Sequence, residues 1–348
     1  MRVLVLWVLG LVIATLLVWA VGTAGISEVS NRQWNELVGD YIVTGRRSAV
    51  GEGRGTVCFR DDGIQGVSGP FSPDEQHVVF WGDSFVESFN VGDEKSLYRR
   101  FTELARAEGY PWRAVAVAQS GRDISHHIHL MPFYRERIPN LKAHVLLFSV
   151  WDVLPNGRTL LEDARPVCRW APRRPGLLRL RPAIQAYRLQ TFWELLNLMK
   201  TSFGGLRVRP GPAGTATGQG DQEFESADAY RPFWRELLKE LTAQAGGQRV
   251  VLMYHPRCPQ IKRGRIVYAD DNARLAQAFM QVCAEQGVEV LDLTRTFADY
   301  TRRTSRFAHG FSDTFPGKGH WNEAGHRLIA KTAFQYLVDH PQPKAPQE

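Results

Sequence analysis

The sequence predicts an α/β fold: a doubly wound, mostly parallel sheet with helices on both faces, a three-layer α/β/α sandwich. Three observations carry it. Short runs of bulky apolar residues recur between residues 76 and 338, each too uniformly apolar for a strand with one face in water. Between them lie segments whose apolar residues return at helical spacing. Runs and helices alternate, the order that parallel strands require for their crossovers.

The elements follow in order. Val78–Trp81 reads as the first strand, running straight into Gly82-Asp83-Ser84-Phe85. Residues 94–108 carry Leu97, Phe101 and Leu104 at helical spacing, and Ala114–Ala118 is a second strand. Residues 123–137 read as a helix ended before Pro139, and residues 143–150 as a fully buried third strand. An insertion over 153–227 interrupts the pattern. It holds Pro/Arg-rich coil, an amphipathic helix near 182–203 and a low-complexity Gly-rich tract at 211–220. The alternation resumes with a helix at 228–245, strand Arg249–Tyr254, a helix at 270–286, strand Val288–Leu293 and a closing helix over 322–338. Residues 27–75 read as a stalk and lead-in, rich in glycine and charge with little periodicity, and residues 339–348 as a disordered tail.

At 348 residues, 44% of them hydrophobic, the chain is long enough for one large core, and nothing between 76 and 338 divides it. Residues 3–21 form an uncharged apolar run close to the ~20 residues that cross a bilayer. Residues 1–26 are therefore expected to be a transmembrane anchor or an uncleaved signal, with the main domain on the periplasmic side. The run exceeds the ~7–15 residues of a cleavable signal, although Gly22-Thr23-Ala24 could serve as a cut site. The net charge of +7 localises, because residues 156–210 hold eleven Lys/Arg against three acids. That block suits an anionic lipid or polymer, or is a solvated basic insertion without a partner; nucleic acid is not expected of an exported chain. Cys58, Cys168, Cys258 and Cys283 read either as buried or free thiols or as one or two bridges.

In a doubly wound sheet the strand ends on one side make the site. Ser84 ends the first strand, Gly121 follows the second, Asp152 follows the third and His320 precedes the last helix, so positions far apart in sequence should gather at one rim. A serine on a sharp turn after a strand is where α/β enzymes place a nucleophile, and His320 is a candidate general base. The alternatives are Ser84 as a helix N-cap and His320 as a surface residue at a helix start. His326 reads as structural, and Asp83 and Asp152 as residues that hold loops. His126 and His129 share a helix face without a carboxylate at matching spacing, so no metal and no cofactor is expected. Trp81, Trp151 and Trp321 either line the mouth of the site or pack beneath it.

Together, Gly82-Asp83-Ser84-Phe85, Ala116–Gly121 and His320-Trp321-Asn322-Glu323-Ala324-Gly325-His326 resemble blocks of the SGNH (GDSL-type) hydrolase family over residues 76–338. The resemblance implies an SGNH/flavodoxin-like sheet, Ser84 as nucleophile, the backbone N–H groups of Ser84 and Gly121 as oxyanion donors, and His320 as base. Two blocks depart from the family. Ser149-Val150-Trp151-Asp152 has tryptophan where the family has an asparagine donor, so the Trp151 indole N–H or nearby Asn156 is the candidate third donor. Gly317 and Lys318 stand where the family has its acid; Asp313 is the candidate substitute, failing which a Ser84–His320 dyad acts with a backbone carbonyl orienting the imidazole.

The expected function is a membrane-anchored serine esterase or deacylase acting on an ester or acylated carbohydrate through an acyl-enzyme. Two other readings stand beside it. One is an O-acetyltransferase-like enzyme that modifies an exported or cell-surface polysaccharide. The other is a catalytically degenerate domain that binds a glycan or scaffolds an envelope partner.

Overall fold

The computed structural model describes residues 31–35, 40–48, 52–53, 55–155, 160–162, 165–167, 227–311, 314 and 316–341, with a few helical positions among residues 7–14. The chain divides into two units. The smaller, Met1–Ser30 with Arg173–Asp221, lies almost wholly outside the described residues. The larger, Asn31–Pro172 with Gln222–Glu348, carries everything that follows.

Its elements begin with strands β1 (Asn31–Asn35), β2 (Asp40–Ser48), β3 (Thr56–Phe59) and β4 (Gln76–Gly82), then a short helix α1 (Ser84–Glu87). Next come α2 (Leu97–Ala107), β5 (Trp112–Ala118), α3 (Ile124–Arg135), β6 (Leu141–Phe148) and a hairpin of β7 (Leu160–Glu162) with β8 (Arg165–Val167). Then follow α4 (Ala227–Ala245), β9 (Val250–Tyr254), a hairpin of β10 (Gln260–Lys262) with β11 (Arg265–Val267), and α5 (Ala273–Glu285). The chain continues through β12 (Glu289–Asp292), α6 (Thr294–Thr304) and α7 (Glu323–Asp339).

Five strands form one parallel sheet in the order β12-β9-β6-β4-β5. The second strand of this sheet in sequence thus lies outside the first, and the winding reverses between β4 and β6. The crevice beyond the carboxyl ends at such a reversal is where open α/β sheets bind ligands. The strands read as continuous apolar runs because both of their faces are covered. Val79, Trp81, Val115, Val117, Leu146 and Phe148 pack with α3, α4 and α5 on one face. Val78, Phe80, Ala114, Ala116, Val145 and Leu147 pack with α2, α6 and α7 on the other. The predicted three-layer α/β/α sandwich is what the chain forms.

The main difference lies in the segment read as a stalk. Strands β1, β2 and β3 form an antiparallel sheet, and Ile42, Val43, Val57 and Phe59 are buried. Gln65 joins this sheet to the main one, pairing with both Phe59 and Ala116; its N–H donates to the Ala116 carbonyl at 2.9 Å. The lead-in therefore covers the β5 edge, which would otherwise present unpaired backbone groups. Its strands are masked in the sequence by Asn31, Arg32, Gln33, Arg46 and Arg47, which break the apolar alternation. Helix α6 escapes for a similar reason, since only Phe297, Ala298 and Thr301 of its eleven residues are buried.

Several expectations fall outside the described residues: most of the apolar run 3–21, the helix near 182–203, the Gly-rich tract, Cys168, Asn156 and Asp313. Among the described residues no helix is long and apolar enough to cross a membrane. Cys58, Cys258 and Cys283 are free thiols.

Candidate active site

Strand β4 delivers the serine to the crevice. Asp83 caps α1, its Oδ1 accepting from the Phe85 N–H at 2.9 Å, so the N-cap role falls to Asp83 and Ser84 becomes the first helical residue. On one side, the Gln119 N–H donates to the Gly82 carbonyl at 3.2 Å and ties the ends of β4 and β5 together. Gly121 follows at φ +74°, with open space where a Cβ would stand. That left-handed conformation suits glycine.

His320 arrives from the loop before α7. Asn322 caps that helix through the N–H groups of Ala324 and Gly325, at 3.0 and 3.3 Å, and its own Nδ2 donates to the carbonyls of Phe307 and Gly310. With the loop fixed in this way, His320 Nε2 lies 2.8 Å from Ser84 Oγ.

The acidic partner comes from the lead-in. Glu52, between β2 and β3, places Oε2 2.6 Å from His320 Nδ1 and accepts from the His320 backbone N–H through Oε1, also at 2.6 Å. An ionised carboxylate only accepts, so Nδ1 carries the hydrogen and Nε2 is left to accept from the Ser84 hydroxyl. Gly319 makes room for this, since a Cβ there would stand 2.0 Å from Glu52 Oε1. Glu52 thus occupies the imidazole nitrogen for which the sequence reading nominated Asp313 or a backbone carbonyl. Lys318, whose charge opposes an imidazolium, is exposed.

Behind the imidazole the packing is aromatic. The Phe85 ring lies 4.7 Å from that of His320, 4.8 Å from that of His255 and 5.0 Å from that of Trp321. His255, His309 and His326 are buried. Burial, the leading cause for all three, pushes His309 and His326 down to about 3 and His255 well below its ordinary value. All three are neutral near pH 7, and His320 is the imidazole with access to the serine. Trp81 and Trp321 are fully buried and pack beneath the site, while Trp151 is half-buried at its rim.

On the β6 side, Ser149 donates to Asp152 Oδ2 from both its N–H and its Oγ, at 2.7 Å each, which closes the turn that carries Trp151. The Arg257 guanidinium stands 5.9 Å from the Trp151 ring centre. Burial raises the carboxyls of both Asp83 and Asp152, and the charge of Asp83 raises Asp152 further. His126 and His129 lie along α3, and among the described residues no group of three or more His, Cys, Asp or Glu side chains gathers to hold a metal.

The structure brings together Ser84 and His320, both nominated from the sequence, and adds Glu52, which was not. The available signal was faint: an acidic residue between two glycines, Gly51-Glu52-Gly53. Gly53 is needed there, because a Cβ would stand 2.4 Å from the Asn90 carbonyl oxygen.

No family model matches the chain, and no curated protein matches it. Among solved structures it is similar to an acetyl xylan esterase, at 15% identity and a TM-score of 0.41, over 75% of this chain and 99% of that one. It is also similar to a lipolytic G-D-S-L family protein from Veillonella parvula, at 11% identity and a TM-score of 0.40, over 76% and 100% of the two chains. A third is the psychrotrophic esterase EstA from Pseudoalteromonas sp., at 10% identity and a TM-score of 0.39, over 76% and 98%.

Proposed function

We propose that this chain is a serine ester hydrolase in which Ser84 is the nucleophile, His320 the general base and Glu52 the acid that orients and supports the imidazole. One observation carries the reading: Ser84 Oγ lies 2.8 Å from His320 Nε2 while Glu52 holds Nδ1 at 2.6 Å. A nucleophile in hydrogen-bond reach of a base, itself oriented by a third group, is the arrangement that activates a serine.

The steps follow from the atoms. Ser84 Oγ attacks the ester carbonyl as its proton passes to His320 Nε2, and Glu52 stabilises the imidazolium that forms. The tetrahedral oxyanion is held by the backbone N–H groups of Ser84 and Gly121, each such donor being worth ~10² to 10³ in rate. Collapse expels the alcohol with the proton from Nε2 and leaves an acyl-enzyme, which water attacks by the same route in reverse. A sugar hydroxyl in place of water gives an O-acyltransferase with the same acyl-enzyme. The degenerate-scaffold reading drew on the missing asparagine donor and the missing acid; the carboxylate of Glu52 at His320 Nδ1 answers the second of these and favours the enzyme reading.

The test is turnover of a short-chain nitrophenyl ester by the wild-type protein and by Ser84→Ala. Release of nitrophenol by the wild type and its loss in the variant are expected; indistinguishable rates contradict the proposal. Placement outside the cytoplasm belongs to the same proposal and is supported by residues 3–21. Cell fractionation tests it, with recovery of the full chain among soluble cytoplasmic proteins as the contrary result.

A further inference from the structure

We propose that the buried Glu87 carboxylate, paired with the partly exposed Arg47, positions the Ser120–Gly121 turn and with it the second oxyanion donor; the inference rests on the serine-hydrolase reading above. Neither residue touches the reacting atoms, so both are positioning residues.

Glu87 lies three residues after Ser84 on α1, and its side chain is fully buried. Its carboxylate accepts from the Ser120 N–H at 3.0 Å, from the Ser120 hydroxyl, and from Arg47 Nη1. Arg47 Nη1 also donates to Ser120 Oγ at 3.2 Å, and the guanidinium stacks over the Phe89 ring at 4.4 Å. The Glu87 backbone is held in turn by Gln65, whose Nε2 donates to its carbonyl at 2.8 Å. One carboxylate therefore joins three segments: the helix of the nucleophile, the turn after β5, and strand β2.

The turn it holds is the one that matters for the oxyanion. The Ser120–Gly121 peptide is fixed on one side by the Ser120 bonds to Glu87 and on the other by the left-handed φ of Gly121. The Arg122 N–H closes the turn on the Gln119 carbonyl at 3.2 Å. An oxyanion donor works only when it is aimed before charge develops. Burying a paired carboxylate stabilises a fold less than burying an apolar side chain of the same size, so stability alone does not account for the fully buried Glu87 charge at this place. Fixed geometry does. The lead-in thereby serves the site twice, through Glu52 at the imidazole and through Arg47 at the oxyanion turn.

The experiment uses the full chain with a nitrophenyl ester and the matching thionoester, whose sulfur is a poorer hydrogen-bond acceptor. In Glu87→Gln, kcat should fall ~10- to 100-fold, part of the ~10² to 10³ that a lost donor costs. KM and the midpoint of the pH profile should stay put, because His320 and Glu52 are untouched. The preference for ester over thionoester should weaken in step with kcat. Arg47→Met should show the same signature at smaller size, and the double variant should be no worse than Glu87→Gln, as expected of residues acting as one unit. Because Arg47 is partly exposed, Arg47→Met carries the test if Glu87→Gln does not fold. Folded variants with wild-type kcat, or with reduced kcat and an unchanged ester-to-thionoester preference, overturn the inference. Absence of turnover in the wild type instead removes the hydrolase reading, and this inference with it.

Discussion

The Glu52 carboxylate spans His320, with Oε2 2.6 Å from the ring Nδ1 and Oε1 2.6 Å from the backbone nitrogen, across 268 positions of sequence. Two oxygens on one residue fix both the ring and its loop. Glu52→Gln should therefore lower kcat by ~10³ to 10⁴, the scale set when the acid of such a triad is replaced by an amide. Asp313→Asn should leave kcat at the wild-type level. Steady-state kinetics on the pair decides, and the opposite ranking would return the acid role to Asp313.

Ser84 and His320 should behave as one unit. Ser84→Ala and His320→Ala are each expected to lose ~10⁴-fold or more in kcat, and the double variant to lose no more than either alone. Multiplying losses would mean that the 2.8 Å contact between them is not part of the reaction path.

Acid should destabilise the fold. His309 and His326 are buried, neutral and held at about 3 in the folded state, mainly by burial, against ~6.5 in the unfolded chain. A folded value below the unfolded one means that the unfolded chain takes up protons first as pH falls. Their contribution is then complete above pH ~6.5 and is lost as pH drops towards 3, at up to about 1.4 kcal/mol per pH unit for each histidine. Thermal melts should show Tm falling steeply below about pH 6. A flat Tm down to pH 4 would mean that these imidazoles are protonated in the folded protein.

The central strands and the position of Ser84 at the end of the first of them were legible because their causes are local. Val78–Trp81 and Ala114–Ala118 are apolar on both faces since helices cover both, and that shows directly in the residues. Ser84 and His320 could be placed because topology alone puts strand ends and the last loop at one rim. Glu52, Arg47 and Glu87 could not. Each acts through a contact with a partner distant in sequence, and none sits in a periodic pattern. A polar segment such as Asn31–Ser48 reads as a stalk until the sheet edge it covers is known.

Trp81 should be a stability residue without a role at the reacting atoms. It is fully buried, its ring lies 5.8 Å from that of Tyr134, and its indole N–H donates to His144 Nδ1 at 3.0 Å. Trp81→Ala is expected to cost ~3 to 5 kcal/mol in a denaturant titration, from lost packing and the cavity left behind. A cost below ~1 kcal/mol would show that the face between β4 and α3 can collapse around the gap.

The most direct test of the Ser84–His320–Glu52 assignment is reaction of the full chain with a serine-reactive phosphonate, with the adduct located by peptide mass spectrometry. A single adduct on Ser84 is predicted, absent from His320→Ala and formed more slowly in Glu52→Gln. No adduct on Ser84, or one that forms at the wild-type rate without His320, would contradict it.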